Sequence, residues 1–205
     1  MQEQKQKELN QSDLKFNKYE KGILESYPYQ SLSIKIAIIS IFAALAIGMS
    51  YALAPLINIE FMSFTLFLAG FLYGKYVGIF VGLISSTIYY GWNPFGIPPL
   101  PLYMVLVSCM VFIGLIGGLI KSSDRENNKI NVTKSTLCKF AFIGLFYTLS
   151  FEVITNIVFA YFYYNGDIKL AFLTGLPFMI IHLILNTIIF ALLVIPVYNT
   201  VISIQ

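Results

Sequence analysis

The chain has 205 residues, of which 58% are hydrophobic and 11% charged, and its mean hydropathy is +0.77. A soluble domain carries about a quarter charged residues, so this composition predicts an integral membrane protein. The formal net charge of +3 gives no indication of nucleic-acid binding. The two cysteines, Cys109 and Cys138, are too few for a disulfide scaffold, and we expect both to be free thiols.

Apolar segments separated by Pro, Gly or charged residues predict an all-α bundle of six transmembrane helices. A helix needs about 20 apolar residues to cross a membrane. Residues 1–30 are polar, and we expect a cytoplasmic tail there, followed by a transmembrane substrate-binding domain over 31–205. The predicted spans are 32–54, 60–73, 76–91, 102–120, 137–162 and 172–200. The second is short for a full crossing, which indicates a tilted helix or one sheltered by its neighbours.

The positive charges predict the orientation of these spans, because cytoplasmic loops are enriched in Lys and Arg. With the N-terminus inside the cell, Lys169 alone falls on an outer segment. The remaining Lys and Arg residues then lie on inner segments: Lys5, Lys7, Lys15, Lys18, Lys21, Lys35, Lys75, Lys121, Arg125, Lys129, Lys134 and Lys139. Both termini are therefore predicted to be cytoplasmic.

The segment "YYGWNPFGIPPLPLY", residues 89–103, falls on the predicted outer face. Its prolines restrict the backbone and its glycines allow turns, so we interpret it as a stiff cap over a binding cavity. Trp92 and Asn93 are its candidate binding residues. Its aromatic residues fit either an interfacial belt or a sandwich around a flat ligand, and the sequence does not separate the two.

Small residues recur at every fourth position of the first span and form one ridge of the helix. They are Ser40, Ala44, Gly48 and Ala52. Such a ridge lets a second helix approach closely in lipid. It fits either a contact inside the bundle or a docking face for another protein.

A second series of small residues, Gly70, Gly74, Gly78 and Gly82, crosses the turn between the second and third spans. Because the turn interrupts the helix, these glycines cannot form one ridge. We expect them to permit a tight hairpin with closely packed arms.

Two ionisable residues, Glu152 and His182, lie well inside predicted spans, where such groups are rare. Each has an amide four residues on, Asn156 and Asn186 respectively, which places each pair on one helix face. The two faces predict either a buried polar clamp between helices or the floor of a substrate cavity. Glu60, at the outer end of the second span, is a candidate for the mouth of that cavity.

No zinc-protease, nucleophile-elbow or phosphate-loop motif is present, and a single His with two separated Cys does not favour a metal site. We therefore predict no catalytic residue, no metal and no cofactor. Two alternatives stay open. One is an intramembrane enzyme or membrane assembly factor that uses Glu152 and His182 as acid and base. The other is a proton-coupled carrier in which Glu152 titrates.

The order of several segments resembles the substrate-binding S components of energy-coupling factor (ECF) transporters. These segments are "AALAIGMSYALAP", "FLAGFLYGKYVGIFVGLISSTIYY", the Pro/Gly loop, "FEVITNI" and "GLPFMIIHLILNTIIFALLVIP". The resemblance covers about residues 35–198. It implies a non-enzymatic subunit of an ATP-driven importer that captures a vitamin or related micronutrient at its outer face.

The resemblance also implies partners and site residues. The partners are a transmembrane coupling subunit and two cytoplasmic ATPases, in the cell membrane of a bacterium or archaeon. Docking would use an AxxxA-type motif on the first helix, matched here by Ala44 and Gly48, with Gly in place of the second Ala. Substrate would contact the outer loop and the outer halves of the last helices. The corresponding candidates are Trp92, Asn93, Glu152, Asn156, His182, Asn186 and Glu60.

Overall fold

The computed structural model describes residues 32–56, 59–121 and 129–204, and the predicted tail over 1–30 lies outside the described residues. These residues form six α-helices and, within the described ranges, no strand. The helices are α1 (Leu32–Leu53), α2 (Met62–Tyr73), α3 (Lys75–Gly91), α4 (Leu100–Lys121), α5 (Lys134–Tyr163) and α6 (Ile168–Ile204). The predicted all-α class is confirmed, and each predicted span corresponds to one helix.

Four of the helices are long and apolar enough to cross a membrane: α1, α4, α5 and α6. The other two are shorter, with 12 residues in α2 and 17 in α3. At a rise of about 1.5 Å per residue, α2 spans only about 18 Å of a hydrocarbon core about 30 Å thick. The structure therefore supports a multi-pass membrane protein, and a full crossing by all six helices stays a prediction.

The chain divides into two compact units, Met1–Ala37 and Ile38–Gln205. The described part of the first is the beginning of α1. Within the second, α2 is the central helix, because it packs against α3, α4 and α6 and every residue from Met62 to Leu72 is buried. The neighbouring helices therefore cover α2 on all sides, so it need not be long enough to face lipid across the whole membrane. This agrees with the expectation that the second span is sheltered by its neighbours.

Glycine contacts hold α2, α3 and α4 together. Gly74 separates α2 from α3 and has a φ of 98°, which a residue with a side chain rarely adopts. A Cβ atom added to Gly70 or Gly78 would overlap the backbone of Gly114 on α4, and one at Gly82 would lie 2.9 Å from the Met110 carbonyl oxygen. The predicted tight hairpin is therefore confirmed. Its two arms also pack closely on α4, and the sequence did not indicate this contact.

A tight turn makes α5 and α6 antiparallel neighbours. Asn165 and Gly166 both have positive φ values, 52° and 85°, and the Gly166 amide donates to the Ala160 carbonyl. The reversal brings Glu152 and His182, which are 30 residues apart in sequence, to the same level of the bundle. This turn therefore positions the charged groups of the candidate site.

The two cysteines are both free, as predicted; Cys109 is half-buried on α4 and Cys138 is exposed on α5.

Candidate functional site

His182 lies between two carboxylates contributed by different parts of the chain. Its Nδ1 atom is 2.6 Å from Oε1 of Glu152 on α5, and its Nε2 atom is 3.3 Å from Oε2 of Glu60, two residues before α2. The His182 side chain is 7% exposed, and the carboxylates are 15% exposed at Glu152 and 23% at Glu60. We call these three residues the charged cluster.

The two contacts of His182 differ in kind. The contact with Glu152 has hydrogen-bond geometry, whereas the contact with Glu60 is close enough for an ion pair but lacks that geometry. The Nε2 atom is buried and has no hydrogen-bond partner among the described residues. The contact of Nε2 with the Glu60 carboxylate, at 3.3 Å, is therefore looser than the 2.6 Å bond of Nδ1 to Glu152.

Asn156 supports the Glu152 carboxylate, as the i, i+4 spacing predicted. Its Nδ2 atom donates to the Glu152 carbonyl at 2.8 Å and to Oε2 of the carboxylate at 3.2 Å. Across from it on α6, a Cβ atom at Gly175 would lie 2.8 Å from the Asn156 Oδ1 atom. A glycine at position 175 therefore leaves room for the amide.

Two cavities lie on either side of the charged cluster. The first, the Glu60 cavity, has a volume of about 310 Å³. The second, the Glu152 cavity, has a volume of about 530 Å³. Both volumes fall in the range of small-molecule sites. Described residues that line the Glu60 cavity include Ser50, Glu60, Tyr89, Tyr90, Asn93, Phe95 and His182. Those that line the Glu152 cavity include Glu152, Thr155, Asn156, Phe159, Tyr164, Thr174, Gly175 and Phe178.

Asn186 lies one turn beyond His182 but is placed differently from the other candidates. It is 1% exposed, donates to Thr148 at 2.6 Å, and exchanges hydrogen bonds with Ser63 on α2 at 3.2 and 3.4 Å. It lines neither cavity. Asn186 therefore fits the clamp interpretation alone. Glu152 and His182 fit both interpretations, because their bond joins α5 to α6 and each lines a cavity.

The proline-rich loop between α3 and α4 reaches one of the cavities. Asn93 lines the Glu60 cavity, and its Oδ1 atom accepts a bond from the Phe95 amide at 2.8 Å, which stiffens the turn. Trp92 is 73% exposed and lies outside both cavities. Its carbonyl accepts a hydrogen bond from Tyr51 of α1 at 2.9 Å. In this structure the Trp92 backbone therefore ties the loop to α1, and its ring is largely exposed.

The small-residue ridge of α1 faces away from the rest of the unit. Ser40, Ala44, Gly48 and Ala52 are all exposed, whereas Ala43, Ala46 and Ser50 are the buried residues of this helix. A Cβ atom added to Gly48 would meet nothing within 4 Å. Among the described residues, the ridge therefore makes no close helix contact inside the bundle.

Several cavity residues were not predicted, chiefly Thr155 on α5 and Thr174, Gly175 and Phe178 on α6. A signal for two of them exists. Gly175 and Phe178 lie seven and four residues before His182, and both spacings place them on the His182 face of one helix. Among the described residues there is no group of His, Cys, Asp and Glu that could hold a metal ion.

The helical architecture and the apolar helix surfaces are those of a membrane protein, and two cavities of ligand size lie beside its charged cluster. A family model for the substrate-specific component of ECF transporters matches residues 34–198. The chain therefore belongs to this family, whose members are substrate-binding subunits of transporters and not catalytic enzymes. Comparisons with curated proteins and with solved structures gave no significant match.

Proposed function

We propose that this protein captures a vitamin or related micronutrient at the outer face of the cell membrane of a bacterium or archaeon and delivers it through an ECF importer. The observation that carries the proposal is the charged cluster between two ligand-sized cavities at the end of the bundle that holds the proline-rich loop. Ionisable residues inside a membrane protein are costly and usually serve a substrate or ion.

In the proposed orientation both termini are cytoplasmic and the proline-rich loop covers the Glu60 cavity from outside. Residues 1–30 form the cytoplasmic tail, and residues 31–205 form the substrate-binding domain with six crossings. Asn93, Glu60 and His182 contact the ligand on one side of the cluster, and Glu152 and Asn156 serve the other side. Trp92 lies outside both cavities, so a contact between its ring and the ligand requires the ring to rotate toward the Glu60 cavity.

The α1 ridge is the proposed docking face for the transmembrane coupling subunit, which in turn carries two cytoplasmic ATPases. Ala44 and Gly48 support this proposal because they are small, exposed and one turn apart. In lipid, helices associate through close packing, and small residues allow the shortest approach. The open space around Gly48 is available to a partner helix.

Association of the co-expressed chain with a coupling subunit and its ATPases tests the docking proposal. We expect Gly48→Leu and Ala44→Leu to remain folded, because both sites are exposed, and to lower recovery of the complex at least about tenfold. Ser108→Leu is the matched control, since Ser108 is also a small exposed helical residue but lies on α4. Recovery of both α1 variants at the wild-type level would refute the docking face.

The family match favours this function over the two alternatives from the sequence. An acid–base enzyme that uses Glu152 and His182 predicts turnover that His182→Gln abolishes while ligand affinity persists. A proton-coupled carrier predicts uptake that collapses with the proton gradient. Uptake by the reconstituted complex that needs ATP hydrolysis and persists without a proton gradient would exclude both alternatives.

A further inference from the structure

The charged cluster contains two carboxyl groups and one imidazole, so its acidic groups outnumber its basic one. When Glu60 and Glu152 are both ionised, the charges sum to −1 with His182 charged and to −2 with His182 neutral. No Lys or Arg is among the described residues that line either cavity. A net charge inside a membrane protein is unfavourable without a partner, so the site favours a ligand of opposite sign.

The two carboxylates are not equally satisfied, which indicates where a positive group would bind. Both oxygens of Glu152 have donors: His182 Nδ1 at 2.6 Å and Asn156 Nδ2 at 3.2 Å. The Oε2 atom of Glu60 has the looser 3.3 Å contact with His182 Nε2, and no described residue donates a hydrogen bond to its Oε1 atom. Among the described residues, Glu60 is therefore the less satisfied of the two carboxylates.

The Glu60 cavity also has the walls that a cation with a flat apolar part requires. Tyr89, Tyr90 and Phe95 line it together with Glu60. Aromatic faces attract cations that lie within about 6 Å of the ring centre. The volume of about 310 Å³ is far larger than an inorganic ion needs and fits a small heterocycle or arylamine.

We propose that the Glu60 cavity selects an organic cation, whose charged nitrogen pairs with Glu60 and whose planar part lies against the tyrosines. This inference rests on the proposed capture function and names the chemical class of its ligand. Neutral and anionic micronutrients are excluded as preferred substrates of this site.

Three probes of nearly identical shape test the proposal: benzamidine, which is a cation, benzamide, which is neutral, and benzoate, which is an anion. Their affinities are measured by thermal shift of the purified full chain in detergent at constant ionic strength. We expect benzamidine to bind at least about tenfold more tightly than benzamide, because a hydrogen bond to a charged carboxylate is stronger than a neutral one. Benzoate should bind most weakly.

Two variants locate the preference. Glu60→Gln should bind benzamidine no better than benzamide. Asp167→Asn should keep the wild-type order, because Asp167 is an exposed acidic residue outside both cavities and Asn is an equally good helix cap. If Glu60→Gln does not fold, the relative affinities of the three probes for the wild-type chain still test whether the cavity prefers a cation.

Equal binding of the three probes, preference for benzoate or benzamide, or no binding of any probe would overturn the inference. An unchanged preference in Glu60→Gln would also overturn it. The capture function is judged separately, by association with the coupling subunit and by the ligand that co-purifies. A neutral or anionic co-purifying ligand would refute the charge inference and leave the capture function intact.

Discussion

Replacement of His182 by Phe tests whether the charged cluster holds the site together. Phe keeps a ring in the edge-on contact with Phe151, whose centroid is 6.0 Å from that of the imidazole, and deletes both nitrogens. Glu152 then loses its 2.6 Å hydrogen bond while its side chain stays 15% exposed. The substitution thus removes one partner of a buried pair and changes the shape of the site little.

Loss of one partner from a buried pair costs about 3–5 kcal/mol. For a chain of this size each kcal/mol corresponds to about 2–4 °C in melting temperature, so we expect His182→Phe to melt about 6–20 °C below the wild type. Adding Glu152→Gln removes one of the two carboxylate charges that His182 contacts in the wild type. The double variant should therefore be more stable than His182→Phe alone, although it carries one more substitution.

Far-ultraviolet circular dichroism of His182→Phe, Glu152→Gln and the double variant in one detergent measures these melting temperatures. Ile181→Phe is the matched control, because it places a new ring at an exposed neighbour of His182 and should shift the melting temperature little. An unchanged melting temperature for His182→Phe, or losses that simply add in the double variant, would refute the energetic role of the cluster.

Two further predictions concern the packing of the bundle. Gly114→Ala should destabilise by at least about 1–3 kcal/mol, because the new methyl group overlaps the Gly78 backbone, whereas Gly48→Ala should cause no loss because its surroundings are open. Melting temperatures of this matched pair check the contrast, and equal values would contradict it. Asn186→Leu should cost about 1–3 kcal/mol for each of the buried Thr148 and Ser63 hydroxyls that it leaves without a partner. Retention of the wild-type melting temperature would show that Asn186 is not a clamp.

The sequence predicts the helices that have a recognisable local pattern of their own, such as a long apolar run or a glycine at a break. Apolar length predicts α1, α4, α5 and α6, and Gly74 predicts the break between α2 and α3. The packing of Gly70 and Gly78 on Gly114 could not be predicted. A glycine indicates that some backbone comes close, but the identity of the approaching helix depends on contacts distant in sequence.

The candidate site follows from the sequence in part. The i, i+4 spacing predicted the Glu152–Asn156 bond correctly, because that contact is local to one helix. The same spacing does not distinguish Asn186 from His182, since the difference arises from Thr148 and Ser63 on other helices. Glu60 was expected only at the mouth of the cavity, and its distance of 3.3 Å from His182 depends on how α2 packs within the bundle.

The central claim is that the chain captures a small molecule, and mass spectrometry of the purified protein tests it most directly. Protein from cells grown in rich medium is extracted with methanol and compared with a detergent blank. We predict one small molecule enriched near one per chain, lost in Glu60→Gln and retained in Asp167→Asn. The absence of any enriched molecule, together with no stabilisation by a panel of vitamins, would contradict the proposed function.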